Sequence, residues 1–501
     1  MLFARLAESN PAGALSSAAL NWAGHAKRKA AHRSPRQRRM DSPAPEPAEL
    51  NPAPKAQLLR ILGVGFGIAV VFGGTIGVGI LRLPGTVAAQ LGNYRLILAI
   101  WVVGGIYALL GSVSVTELAV MVPRAGGFYV YARRAFGAGA GFAVGWGDWL
   151  NNCASLAYVA FAAAGYVVAL LPDLAGRDQA VALAVLALFS AIHWTGLRVS
   201  SNVQKLTSSA TALAFLVLAA ACFLFNGKTP APGLPQAALP QDFVKPPVSL
   251  MVALGAAVVA LRAVVVAYDG WYEAIYFAEE DKNPARNLPR AMIGGVVSII
   301  FLYLVMNLAF LHVLPIPLLA TSKLPAADAA QMIFVGRSGK FITILSLLAL
   351  LSFINSALLG AARIVFAIGR DGLFTEKAAR VSAGGTPRLA MLLSAGAAMA
   401  LVATGTFERI VAIAAIILIA NYGACYAALI VLRRREPHLP RPFRAWGYPW
   451  TTAVVLAGSG LFLIGNALSD PANALYAGLL LGACGPAYLL MRKGGRTGTA
   501  G

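Results

Sequence analysis

Residues 73–81 read GGTIGVGIL and lie inside an apolar run that begins near Ile61. Gly73, Gly74, Gly77 and Gly79 crowd this stretch. Glycine is a poor helix former because ordering it costs the most backbone entropy. The run therefore predicts a helix interrupted in mid-membrane. Backbone N–H and C=O groups released by such a break cannot face lipid, so they line a cavity or bind something polar.

Working outward, a second interruption falls in the sixth apolar run at Ala267, Tyr268, Asp269 and Gly270, followed by Trp271. Two interrupted runs at equivalent places, five runs apart, point to a transporter built from inverted repeats, with its site between the breaks. N–H groups at a half-helix start attract a carboxylate, and carbonyls at a half-helix end attract an ammonium group. An α-amino acid carries both charges. The competing reading is that the glycines only let helices approach closely, as small residues do in membranes.

The rest of the chain fits this frame. Of 501 residues, 58% are hydrophobic and 12% charged, and the mean hydropathy is +0.70. Such a composition belongs in lipid rather than in a water-facing domain. Apolar runs fall at 61–82, 94–121, 139–171, 179–196, 205–225, 247–277, 289–313, 340–369, 387–405, 408–433, 450–468 and 472–491. Each is near the roughly 20 residues that cross a bilayer. The fold class is all-α integral membrane, with twelve spans. A basic, proline-rich tail is expected over 1–58, a first repeat over 59–225, a second over 226–435, two further helices over 436–493 and a short tail over 494–501. Lys and Arg gather in loops on the N-terminal side, as in Arg124, Arg133 and Arg134 or the Arg433–Arg444 segment. Both termini are therefore expected in the cytoplasm of a cell-membrane protein. The net charge of +21 then needs no nucleic-acid partner.

Several function classes lack their motifs. No G-x-x-x-x-G-K-[ST] nucleotide loop occurs, and the five histidines are scattered without metal-site spacing. Cys153, Cys222, Cys425 and Cys484 sit in apolar runs and read as small hydrophobes. An enzyme, a metal centre or an organic cofactor is not expected; a proton or sodium ion is the one cofactor considered.

Ionisable residues at membrane depth are costly and invite a functional reading. Asp148, Arg262, Asp269 and Glu273 are the coupling candidates. Arg262, Asp269 and Glu273 would stack on one face of an unbroken helix, so an internal ion pair and a coupling or substrate role both stand open. Ser352, Asn355 and Ser356 share a helical face and form a candidate sodium site.

Five stretches resemble the amino acid–polyamine–organocation superfamily: GGTIGVGIL at 73–81, ELAVMVPRAGGFYVYARRAFG at 117–137, YDGWYEAIYFAEEDKNPARNLPRAM at 268–292, RIVFAIGRDGLF at 363–374 and LRRREPHLPRPFRAWGYP at 432–449. The resemblance covers about residues 60–490. It implies the leucine-transporter-type fold, a 5+5 inverted repeat with helices 1 and 6 broken. It also implies amino acid permease activity by alternating access, proton-coupled or by exchange. The substrate carboxylate would meet amides of Thr75, Ile76, Gly77, Val78 and Gly79. Its amine would meet carbonyls of helix 1 and of Val266, Ala267 and Asp269, with Tyr268, Gly270 and Trp271 around it. The lysine that replaces sodium in some relatives corresponds here to Thr211, and no external cysteine is placed to bind a partner subunit, so none is expected to be obligatory. Transport of polyamines or other organic amines, or a nutrient-receptor role on the same fold, are the alternatives.

Met40 opens a compact tail directly before the first run and is an alternative start; peptide mapping of native protein that recovers residues before Met40 excludes it.

Overall fold

The computed structural model describes residues 57–225, 250–334, 338–405 and 407–497. The expectations for residues 1–56, including the start at Met40, and for the onset of the sixth run lie outside the described residues. The helices are α1 Val64–Thr75, α2 Val78–Leu91, α3 Tyr94–Met121, α4 Phe128–Phe136, α5 Ala138–Leu170, α6 Asp178–Thr195, α7 Leu197–Leu224 and α8 Leu250–Ala267. They continue with α9 Pro284–Val313, α10 Ile316–Thr321, α11 Pro325–Ile333, α12 Ser338–Arg370, α13 Arg388–Thr404, α14 Phe407–Arg435, α15 Trp450–Ser469 and α16 Pro471–Thr497. Among the described residues nine helices are long and apolar enough to cross a bilayer, or ten if α1 and α2, bent by 48° at their break, count as one span. The protein is a multi-pass integral membrane protein.

Helix ends follow local chemistry. Asn93 caps α3, its side-chain oxygen accepting from the amides of Arg95 (2.9 Å) and Leu96 (3.4 Å). Four details differ from the sequence reading. The joint at 122–138 contains α4, an amphipathic helix whose buried face includes Phe128, Tyr129 and Tyr131. The joint after α9 folds into α10 and α11. The sixth run does not resume as an α-helix after its break: residues 273–277 form a short 3₁₀ turn. Leu58, assigned to the tail, is buried against Ala125, Val365 and Phe366.

The core is built by close approach of small residues, as expected where lipid supplies no hydrophobic drive between helices. On α5, Ala157, Ala160 and Ala164 are buried in one cluster with Leu358 and Ala362 of α12. A Cβ added to Gly67 of α1 would collide with Ala291 of α9, and one on Gly295 would reach within 2.8 Å of Val71. These contacts bring α1 flush against α9.

Charge is concentrated at one end of the bundle, in pairs that cross between elements. Glu117 of α3 accepts from Arg433 Nε (2.8 Å) and from the Ala445 amide (2.6 Å), with Arg441 at 3.3 Å. Glu279 pairs with Arg370 at 2.8 Å and Glu436 with Arg134 at 2.9 Å, while Asp371 pairs with Arg124 and Arg133. Glu280 meets Arg363 through two bonds of 2.9 Å, both side chains at most 1% exposed. Arg363 also lies over the Phe277 ring. A buried charge left alone costs far more than the pair gains. Glu280→Leu or Arg363→Met alone should therefore destabilise the solubilised protein by about 3–5 kcal/mol, and the double replacement by much less; thermal unfolding in detergent measures both.

Candidate substrate site

The two breaks meet at backbone level. α1 ends at Thr75 and α2 starts at Val78, with Ile76 and Gly77 extended between them. No side chain caps the α2 N-terminus, so its first amides lack acceptors within the helix. That end carries partial positive charge. It also lies against the end of α8, since a Cβ on Gly79 would be 3.2 Å from the Ala267 Cα. Gly270 has φ of +101°, and a Cβ there would collide with the carbonyl of Gly74. Only glycine serves at this crossing.

Tyr303 of α9 joins the two breaks. Its hydroxyl lies 3.0 Å from the carbonyl oxygen of Thr75 and 3.0 Å from that of Ala267. Val266 O accepts from the Asp269 amide (3.2 Å). One hydroxyl proton is thus shared between the carbonyls of Thr75 and Ala267, and each carbonyl keeps lone-pair capacity for a further donor. Tyr268 turns away from the cavity: it is 1% exposed, packs on Trp101 and Tyr303, and donates to Trp101 O at 3.3 Å. Side-chain selection does not fall to it in this conformation.

The interior charges are arranged otherwise than helical spacing suggested. Arg262 does not pair with Asp269 or Glu273; its Nη2 donates to Asn466 Oδ1 (2.8 Å) and the guanidinium lies over Phe462. The break swings residues 268–273 off the helical face. Asp269 accepts from the Tyr422 hydroxyl of α14. Glu273 accepts from Ser356 (3.2 Å), and Asp148 accepts from Tyr276 with both oxygens (2.9 and 3.0 Å). Among the described residues none of these three carboxylates has an ion-pair partner.

Ser352, Asn355 and Ser356 do not converge on one shell. The Gln204 side-chain nitrogen of α7 reaches Ala69 O (3.2 Å), Ser208 Oγ (3.0 Å) and Ser352 Oγ (3.2 Å). Asn355 is held by His193 (2.9 Å) and by Gln204 Oε1 (2.6 Å), while Ser356 faces Glu273. A neutral amide fills the middle of this oxygen cluster. Thr211 is buried, and its hydroxyl has no hydrogen-bond partner among the described residues.

A cavity of about 170 Å³ adjoins the break between α3, α8, α14 and α15. Asp269, Trp271, Tyr422, Tyr426, Tyr107 and Arg262 line it. Trp271 and Tyr422 pack at 5.4 Å between ring centroids. Neither Tyr303 nor Tyr422 was singled out from sequence. The available signal was a polar-tipped aromatic inside an apolar run, which needs a partner when buried.

Comparison with known proteins gives a consistent result. Residues 67–479 match the family described as amino acid permease. The serine/threonine exchanger SteT of Bacillus subtilis (strain 168) is 27% identical over 446 residues, covering 87% of this chain and 98% of that protein. The b(0,+)-type amino acid transporter 1 of Mus musculus is 25% identical over 447 residues, 87% of this chain and 88% of its own. Large neutral amino acids transporter small subunit 2 of Mus musculus is 26% identical over 395 residues, 77% of this chain and 73% of its own.

The crossing at Gly270 makes a sharp expectation. Gly270→Ala should abolish a folded, monodisperse protein or its solute binding, whereas Gly77→Ala, which meets nothing within 4 Å, should fold normally. Tyr303→Phe should cost about 1–3 kcal/mol by leaving the two carbonyls short of a donor. Size-exclusion profiles and thermal unfolding distinguish the three.

Proposed function

The chain belongs to the amino acid permease family, and from that premise we propose that it carries amino acids across the cell membrane by alternating access, binding them where α1–α2 and α8 break. The observation that carries this reading is the uncapped α2 N-terminus set against the carbonyl end of α8. The first supplies amides for a carboxylate, and the second, with Asp269, supplies acceptors for an amine.

A 5+5 repeat across twelve spans is supported by matched helix lengths, and cytoplasmic termini by the gathering of Lys and Arg in loops on the N-terminal side. After each break come a long helix of 28 or 30 residues (α3, α9), one of 33 in both halves (α5, α12), one of 18 or 17 (α6, α13) and one of 28 or 29 (α7, α14). Short helices follow the first long helix in each half, α4 in one and α10–α11 in the other. α1 packs on α9 and α8 on α3, the reciprocal pairing that a repeat requires.

Movement is by exchange or with a proton. Gln204, His193 and Glu273 already engage the polar groups of Ser352, Asn355 and Ser356 respectively, which argues for sodium independence. The chain acts alone: its four cysteines are buried, which leaves none on the surface for a disulfide to a partner. A second reading, transport of a polyamine or other organic amine, is favoured by the three interior carboxylates that lack a cation.

Uptake of labelled amino acids into liposomes holding only this chain tests the reading. Expected are saturable uptake, acceleration by internal amino acid, no change when sodium is replaced by choline, and at least roughly tenfold loss in Asp269→Asn, the scale of one charge-assisted contact. Binding without flux in every condition would make the chain a receptor instead.

A further inference from the structure

The cavity beside the break is lined by two unlike charges that no described residue neutralises. Arg262 has five N–H donors, and the contacts it makes are one bond to the neutral Asn466 and the face of Phe462. At the other end Asp269 accepts from the neutral Tyr422 hydroxyl. Among the described residues neither charge has an ion-pair partner, although each is expensive at membrane depth. Arg262 stands five residues before the end of α8, roughly 7 Å along the helix axis, so the two charges are separated along the cavity. The wall between them is apolar, with Val265, Val266, Leu418 and Ile419. The volume of about 170 Å³ is close to the ~150 Å³ of an engineered cavity that admits benzene, enough for a compact molecule of about six to nine heavy atoms.

We propose that this cavity is a second binding site, for a zwitterion whose carboxylate and ammonium are separated by a short methylene chain. The carboxylate meets Arg262, the ammonium meets Asp269, and the methylenes lie on the apolar wall. An α-amino acid has both charges on one carbon and satisfies only one end. The site does not use the amides of α2. It shares Asp269 with the central site, so a ligand here excludes the amine of a substrate there and competes with transport. The proposal rests on the transport reading only for that competition; binding itself is measurable without flux.

The test compares two isomers, 5-aminopentanoate and norvaline, by calorimetry on the purified full chain in nanodiscs. Arg262→Gln should weaken 5-aminopentanoate by roughly tenfold or more and leave norvaline within about twofold. Arg262→Lys should retain part of the lost affinity, and Asn466→Leu, which frees Arg262 from its protein partner, should not weaken binding. Equal weakening of both isomers by Arg262→Gln would assign Arg262 to the central site and overturn the proposal. So would 5-aminopentanoate binding that is absent, or indifferent to all three variants. Binding of 5-aminopentanoate that follows the expected pattern, with no uptake of any amino acid, would defeat the transport reading and leave this one standing.

Discussion

Tyr303 places one hydroxyl 3.0 Å from the carbonyl of Thr75 and 3.0 Å from that of Ala267. In water such carbonyls would cost nothing to expose. In a bilayer each freed backbone group must find a partner inside the protein or on a ligand. Breaking two helices at the same depth is therefore tolerable only if the breaks lie together and a third element serves both. α9 does this, and it can lie close enough because Gly67 and Gly295 remove the side chains that would hold α1 away. The contact of Gly270 on Gly74 completes the arrangement. The proposed substrate site is the part of this network left open: helix-start amides of α2 on one side, half-satisfied carbonyls on the other.

The ionised groups divide into two populations with different physics. At one end of the bundle, acids meet arginines across elements, and Glu117, Glu279, Glu280, Asp371 and Glu436 each tie separate segments together. In the middle, Asp148, Asp269 and Glu273 are held by the hydroxyls of Tyr276, Tyr422 and Ser356, with the neutral Asn152 amide also 3.4 Å from Asp148. A carboxylate held by a hydroxyl keeps capacity for a mobile cation or proton, whereas one held by a forked guanidinium does not. The paired end is suited to closing, and the unpaired middle is suited to exchange of charge with what passes through. Hydroxyl-bearing aromatics, Tyr276 and Tyr422, let the protein hold these acids in place without neutralising them.

Much of this was legible in the residues. Glycine crowding at 73–79 marks the first break because four glycines fall within seven residues and each weakens a helix by about 1 kcal/mol relative to alanine, and the Tyr268–Gly270 stretch marks the second by placing an acid and a glycine in an apolar run. Helix limits were read closely where caps and prolines stand, as for α13, expected over 387–405 and found at Arg388–Thr404. What stayed hidden depends on contacts between distant positions. The bond between Arg363 and Glu280 spans 83 positions, and an arginine in a span announces that it needs a partner without saying which. Tyr303 and Tyr422 read as core aromatics because hydropathy does not register where a hydroxyl points. The helical-face argument for Arg262, Asp269 and Glu273 failed for a specific reason: the same break it helped to locate rotates the face on which it relied. Ser352, Asn355 and Ser356 share a face of α12, but each is engaged by a different residue from elsewhere in the chain, Gln204, His193 and Glu273 respectively.

The chain just before α1 is attached to the machinery it precedes. Leu62 donates its amide to Glu280 O (3.0 Å) and accepts from the Lys282 amide (3.0 Å), a one-residue parallel bridge. Glu280 is the residue whose side chain holds Arg363. A pull or a steric load applied ahead of Leu58 would thus be delivered, through three residues of backbone and two hydrogen bonds, to the segment that anchors α12.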